Sequence, residues 1–427
     1  MGTREDRIQQ ERLWYHGEIA EAPGHPFYQR LNKLLDELEF DKFCEERCQQ
    51  YYHPKMGRPS LAPGVYFRMV LIGYFEGLES DRGIAWRVAD SRSLSAFLRY
   101  GMNEMTPDHV TLSKTRRLIS EETHQEVFKL VLHEIAKRGF LKGKTVGIDA
   151  TTLEANAAMK ALVNRETGET YDEYLKTLLG DRAKDAASRR REDSKREKSV
   201  SNTEWSNPND PDAQITKTKS GRIALAYKLE QAVDMETGAI VAITAHGGAT
   251  GDTTSIQETL PIAGELIADE IATKSYDGNY EVNQESIEEV VTDKGYHSND
   301  IVAAVTDMGV TSFIAVPERK NQNWNGKEDL RIVVHANRDR VESERGKALL
   351  RQRGEKLERP FAHQYSRGRM RRLHVRGLTN VRKRCLMIAA AFNLALLLQN
   401  MYGAGMPRSL ADRRKALYFA ILCAMAR

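Results

Sequence analysis

The chain has 427 residues, 41% of them hydrophobic, and a formal net charge of +4. That length points to two or three domains and that apolar share to a well-buried core, which excludes a disordered or low-complexity protein. The net charge is too small to mark a nucleic-acid binder by itself, and four cysteines are too few for a fold built on disulfides.

The first residues, "MGTREDRIQQER", carry no apolar signal segment, so a reduced, cytoplasmic protein is expected. From Pro26 to about Gly139 apolar residues recur at spacings of three and four, which predicts a bundle of short helices. "SDRGIAWRVADSRSLSAFLRYG" reads as one or two helices. Thr106, Pro107 and Asp108 then start another, "HVTLSKTRRLI", which carries Lys114, Arg116 and Arg117. A helix, a polar turn and a basic helix form a helix-turn-helix-like unit, or charges solvated on an ordinary bundle. Cys44, Cys48 and nearby His53 suggest a zinc site only weakly, because no fourth ligand is evident.

Beyond Gly139 the period shortens to that of strands. "TVGID" predicts one strand, "RIALAYKLEQAVDMETGAIVAITAHGG" two joined by a turn at Glu236 to Gly238, and "EEVVTDKGY" and "VTSFIAVPE" two more. "SNDIVAAVTDMG" between the last two fits a capped helix. Three strands followed by strand, helix and strand predict an α/β domain with a mixed sheet. Between the first and second strands lies a highly charged stretch of mixed sign, about 158–222, which reads as an insertion. Its Trp205, like Trp324 further on, is read as a buried aromatic. The run from Cys385 to Leu398 is apolar but short and interrupted by Asn393, as in a buried helix rather than a membrane span.

Asp149 ends the first predicted strand and Asp293 the fourth, each after apolar residues. A carboxylate there loses hydration and needs a metal, a cation or several donors. Two carboxylates at the C-terminal ends of neighbouring parallel strands would meet in the crevice where open α/β sheets bind ligands. A third acid, Glu358, precedes a tract without Asp or Glu up to Asp412 that holds Arg359, Arg367, Arg369, Arg371, Arg372, Arg376, Arg382, Lys383 and Arg384. Carboxylate oxygens suit Mg²⁺ or Mn²⁺, and acids set among arginines suit a polyanionic substrate.

With these residues in view, "VGIDATTLEANA", "VTDKGYHSND" and "GEKLERPFAH...GRMRRLHVRGLTN" resemble the first Asp, second Asp and final Glu blocks of DDE transposases of bacterial insertion sequences. "HPKMGRPSLAPGVYFRMVLIGYFEGLESDRGIAWR" resembles the helical N-terminal domain of that group. The resemblance implies an α/β, RNase H-like mixed sheet with flanking helices. An all-α DNA-binding domain over 1–139 would precede it, the catalytic domain would span 140–402 with the insertion inside, and a helical tail would cover 403–427. It implies Asp149, Asp293 and Glu358 as catalytic and metal-binding residues for two Mg²⁺ ions, with Mn²⁺ as substitute, Asp149 bridging them. Lys114, Arg116 and Arg117 would contact element DNA, while Arg351, Arg369, Arg371, Arg372 and Arg376 would hold phosphates near the cut.

The implied activity is cleavage of element ends and strand transfer into target DNA. The implied partners are the terminal inverted repeats and the target, met by a homodimer or larger assembly at the nucleoid and without a membrane. The alternative is a catalytically silent DNA-binding descendant. The Tyr-x2-Arg-x3-Glu-x6-Lys signature of one branch is matched only in part, since Gly354 and Tyr365 fall at its Arg and Lys positions, although Arg351, Arg353, Arg367 and Arg369 lie close by. Glu342, preceded by His335 and Arg338, is a rival for the third acid. Glu358 is preferred because Phe361 and Ala362 give its helix an apolar face.

Overall fold

Proline at first helical positions and short polar caps set the N-terminal helices. The computed structural model describes residues 24–53, 60–101, 104–180, 185–195, 201–218, 221–273, 280–318 and 324–409. Cys423 and most of the expected tail over 403–427 lie outside them. Helix α1 (Pro26–Glu37) begins with Pro26 behind a His25 cap, followed by α2 (Phe40–Cys48). Helix α3 (Pro63–Glu76) begins with Pro63 and closes at Gly77, whose φ of 69° favours glycine. Ser80, Ser91, Asp108 and Ser120 cap α4 (Asp81–Ala89), α5 (Arg92–Phe97), α6 (His109–Leu118) and α7 (Glu121–Lys137), each accepting from a backbone N–H inside its helix. The Ser91 cap divides the "SDRGIAWRVADSRSLSAFLRYG" stretch into two helices. Cys44 and Cys48 are buried in the apolar core, and burial pushes both thiols up, Cys48 to about 12, which opposes the thiolate that zinc needs.

The sheet is mixed, as the strand pattern predicts. Central β1 (Thr145–Glu154) is followed by a separate ladder of β2 (Val163–Asn164) with β3 (Trp205–Ser206), helices α8 (Tyr171–Leu179) and α9 (Ala186–Lys195), and β4 (Gln214–Lys217). Then come β5 (Ile223–Asp234), β6 (Ile240–Gly247), helix α10 (Asp252–Ala272), β7 (Glu289–Thr292), α11 (Asn299–Asp307) and β8 (Thr311–Ile314). Strand β5 runs antiparallel to β1 on one side and shares its other side between β4 and β6, while β7 lies parallel to β1 and β8 parallel to β7. Strand β4, the last piece of the charged segment, thus belongs to the main sheet. Trp205 is buried against Tyr171 and Tyr174.

One expectation changes. Strand β1 does not end at Asp149 but continues to Glu154, because the distant β5 pairs with it as far as Glu154↔Ala226. What ends near Asp149 is the parallel ladder with β7, whose pairs run from Thr145↔Glu289 to Gly147↔Val291.

Three helices close the described chain: α12 (Glu328–Glu342), α13 (Glu344–Ser366) and α14 (Leu378–Tyr402). The last begins a segment, Leu378–Ser409, long and apolar enough to cross a membrane, but 72% of its apolar window is buried within the fold. Asn393, the polar residue in it, donates to Ile240 O at 2.8 Å and accepts from Ile240 N at 2.9 Å, which ties the helix to the start of β6. Helix α14 also packs on α3 and α7, so the N-terminal helices and the sheet share one hydrophobic core.

Candidate active site

Alternation along β1 turns Gly147, Asp149 and Thr151 toward one face of the sheet, and helix α13 covers that face. Gly147 permits the close approach: a Cβ there would lie 2.8 Å from Leu357 Cδ1 and 2.6 Å from Met235 Sδ. Further along the helix, Gln364 Nε2 donates to Gln231 Oε1 at 2.8 Å, and Gln231 is the register partner of Asp149 on β5. Tyr365 Oη donates to Thr152 O at 3.1 Å and also meets the Thr151 hydroxyl. Helix α13 therefore crosses the sheet from β7, where Arg345 pairs with Glu289 at 2.5 Å, over β1 to β5.

Extending the β1–β7 ladder by two pairs sets Asp149 beside Asp293. Each carboxylate has one oxygen tied to a nearby backbone N–H: Asp149 Oδ1 accepts from Ala150 N at 2.8 Å, and Asp293 Oδ1 from Gly295 N at 2.8 Å. The second oxygens converge on one cation. Arg353 Nη2 lies 3.1 Å from Asp149 Oδ2 and 3.5 Å from Asp293 Oδ2, with side-chain exposures of 16% for the arginine, 19% for Asp149 and 41% for Asp293. The sequence carries several arginines here, and nothing in their spacing singles out Arg353.

Behind this pair, on the opposite face of the sheet, sits a carboxylate that sequence reasoning missed. Glu230 is fully buried and accepts from Ser255 Oγ at 2.5 Å, from Tyr296 Oη at 2.8 Å and from the Thr259 hydroxyl. Burial raises its carboxyl above the usual range, and the three hydroxyls oppose that rise. Tyr296 ends the 3₁₀ turn Lys294–Tyr296 that Asp293 caps, so Glu230 pins the turn from which Asp293 projects. Buried Lys228 contributes a further contact, with its Nζ 2.5 Å from Asp252 Oδ1.

Glu358 is exposed on α13. It precedes Tyr365 by seven residues, which brings the two within about 20° of the same azimuth on the helix. That flank faces the C-terminal half of β1. The opposite flank carries Gln352 and Lys356, which donate to Met235 O at 3.0 Å and Glu236 O at 2.6 Å. Glu342 closes α12, Ser343 separates the helices by capping α13, and Arg345 next to it pairs with Glu289 at the opening of β7. Glu342 thus belongs to the other end of the strands. Among the described residues no three His, Cys, Asp or Glu side chains stand close enough together to hold a metal ion, so the aspartates form a pair that Glu358 has not joined.

The basic tract borders the same edge. Leu373 N donates to Glu154 O at 2.8 Å, and Arg372 bridges to Glu154 at the end of β1. Arg369, Arg371, Arg372 and Arg376 are exposed, with Arg371 5.7 Å over the Tyr365 ring and Arg376 Nε bonded to Asn156 O at 3.0 Å. Arg351, two residues before Arg353 and so on another face of α13, is exposed. Arg369 reaches Gly77 O at 3.3 Å and so joins the tract to the end of α3. In α6, Lys114 and Arg117 are exposed. Arg116 is instead held by both oxygens of Asp81 at 2.7 Å, its side chain only 15% exposed.

Residues 17–118 match the transposase domain DUF772, and residues 317–398 match the transposase DDE domain. The chain belongs to the DDE transposases of the insertion-sequence type. The second match contains Arg353, Glu358 and the basic tract of the transposase, while Asp149 and Asp293 lie before it. A comparison of the transposase with curated proteins found no match.

Proposed function

We propose that this transposase cuts the ends of its element and joins them to target DNA at Asp149, Asp293 and Glu358, carried on an RNase H-like sheet. The observation that carries the reading is the convergence of Asp149 Oδ2 and Asp293 Oδ2 on a single cation beside an exposed basic edge. Hard carboxylate oxygens fit Mg²⁺, with Mn²⁺ as substitute. Asp149 and Asp293 would hold the ions together with Glu358, and when bound they stabilise charge on the attacking and departing oxygens of phosphodiester cleavage.

The remaining work belongs to the chain itself. Arg369, Arg371, Arg372 and Arg376 bind phosphates along the edge where β1 ends, and Arg351 approaches the strand from α13. The backbone N–H groups of Ala150 and Gly295 fix one oxygen of each aspartate and leave the other toward the substrate side. Lys114 and Arg117 contact element DNA from α6, and the duplex extends between the two basic surfaces. A homodimer or larger assembly on DNA would bring both element ends together.

Nicking of element-end DNA in Mg²⁺ tests the reading, with a gel shift on the same preparations. Asp149→Ala and Asp293→Ala should each abolish nicking and leave DNA binding nearly intact. Undiminished nicking in either variant would refute the assignment.

A further inference from the structure

We propose that Arg353 is a placeholder for metal charge, which holds Asp149 and Asp293 together before ions arrive and competes with them for the site. The inference rests on the proposed metal-binding role of the two aspartates. Its starting point is that Nη2 of one guanidinium meets the inward oxygen of both, which places those oxygens no more than 6.6 Å apart, the sum of the two contacts. Two carboxylates at that separation repel when no cation stands between them. Helix α13 supplies the cation from a fixed position, because Leu357, one turn further on, is locked against Gly147.

The hold is also incomplete, as an exchangeable one should be. Arg353 Nε is buried and has no hydrogen-bond partner among the described residues, so only part of the donor fork is satisfied. Beside it, Gly354 leaves open space: a Cβ there would meet nothing within 4 Å. Gly354 thus adds no side chain that would block the guanidinium as it turns away from the carboxylates. A divalent ion brings twice the charge to the same oxygens, and the guanidinium, still protonated, moves aside. Metal affinity in the wild-type chain thus includes the cost of breaking the contacts that Arg353 makes.

Mn²⁺ binding to the full-length chain without DNA, followed by the disappearance of the free-ion EPR signal, tests this. Arg353→Gln should bind Mn²⁺ about tenfold more tightly than wild type, as removal of a charged hydrogen-bonded competitor implies. Arg353→Lys, which keeps the charge but not the planar fork, should fall between. Asp149→Asn should weaken binding. Equal or weaker binding in Arg353→Gln, with Asp149→Asn weakened, overturns the placeholder and leaves the metal site standing. Unchanged binding in Asp149→Asn overturns both. The unaltered chain gives a reading that does not depend on the folding of a variant. Phenylglyoxal labelling of Arg353, followed by peptide mass spectrometry, should rise several-fold when Mn²⁺ is added, and an unchanged yield overturns the exchange.

Discussion

Leu357 of α13 lies against Gly147 of β1 so closely that a side chain at the glycine would stand 2.8 Å from Leu357 Cδ1. Arg353 and Glu358 flank Leu357, so this contact fixes how near both come to Asp149, two residues along the strand from Gly147. Gly147→Ala should destabilise the fold by about 1–3 kcal/mol, the ordinary cost of overpacking, and should slow DNA nicking by lifting the helix. In a Leu357→Ala background the same substitution should cost less, because the clash with Leu357 is relieved and only that with Met235 Sδ, 2.6 Å from the added Cβ, remains. Urea melts of the two single variants and the double variant measure the coupling, and strictly additive losses would show that the contact does not set the helix height.

His124 gives the fold a defined response to acid. Its ring is buried between the Ser120 carbonyl, 2.7 Å from Nδ1, and the Tyr66 hydroxyl, 2.9 Å from Nε2. The carbonyl can only accept, so Nδ1 carries the proton of the neutral ring and Nε2 accepts from tyrosine. Burial pushes its pKa down to about 3. The unfolded chain takes up a proton near the ordinary value of about 6.5, whereas the native ring does not. Stability is therefore complete above about 6.5 and falls, by at most about 1.4 kcal/mol per pH unit from this residue, as pH drops toward 3. Denaturation between pH 7 and 4 should show a shallower decline in His124→Gln; an identical decline would mean that other groups carry the acid sensitivity.

The three basic residues of α6 should separate by role. Lys114 and Arg117 are exposed, while Arg116 is committed to Asp81. If the exposed pair neutralises phosphates, Lys114→Gln and Arg117→Gln should each reduce the slope of log affinity against log salt by about 0.9 for duplex DNA. Arg116→Gln should leave that slope unchanged and lower the melting temperature, since it strips Asp81 of its partner. Fluorescence anisotropy over a salt series gives the slopes, and an altered slope only in Arg116→Gln would reverse the assignment.

What could be read in advance follows from the range of the forces involved. The strands around Asp149 and Asp293 and the Ser298-capped helix between β7 and β8 are written in local period and local caps, so the sequence shows them. The full length of β1 is not local, because "ATTLE" is held extended by β5, more than seventy residues away. Glu230 was invisible for the same reason: its hydroxyl donors come from positions 25, 29 and 66 residues distant. Arg353 stands among many arginines, and only the crossing angle of α13 over the sheet selects it.

The choice of third acid now rests on two helices rather than one. An unbroken helix through Glu342 and Glu358 would hold them about 24 Å apart, but Ser343 ends α12 and caps α13, so the two acids sit on separate elements. The two acids are separated on different grounds. Arg340 of α12 donates to Ser312 O at 3.0 Å at the start of β8, and Arg345 pairs with Glu289 at the start of β7. Glu342 lies between them, by the N-terminal ends of β7 and β8, whereas Asp293 follows the C-terminal end of β7. Glu358 shares the helix flank of Tyr365, which is bonded to β1 beyond Asp149. Glu358 therefore lies on the helix that carries Arg353 to the pair, whereas Glu342 sits across a helix junction from it. Glu358→Gln should therefore remove Mg²⁺-dependent nicking and weaken Mn²⁺ binding while DNA affinity stays within about twofold, and Glu342→Gln should retain most activity. Loss of nicking in Glu342→Gln with full activity in Glu358→Gln would transfer the third ligand to the junction and detach the basic tract after Glu358 from the cleavage site.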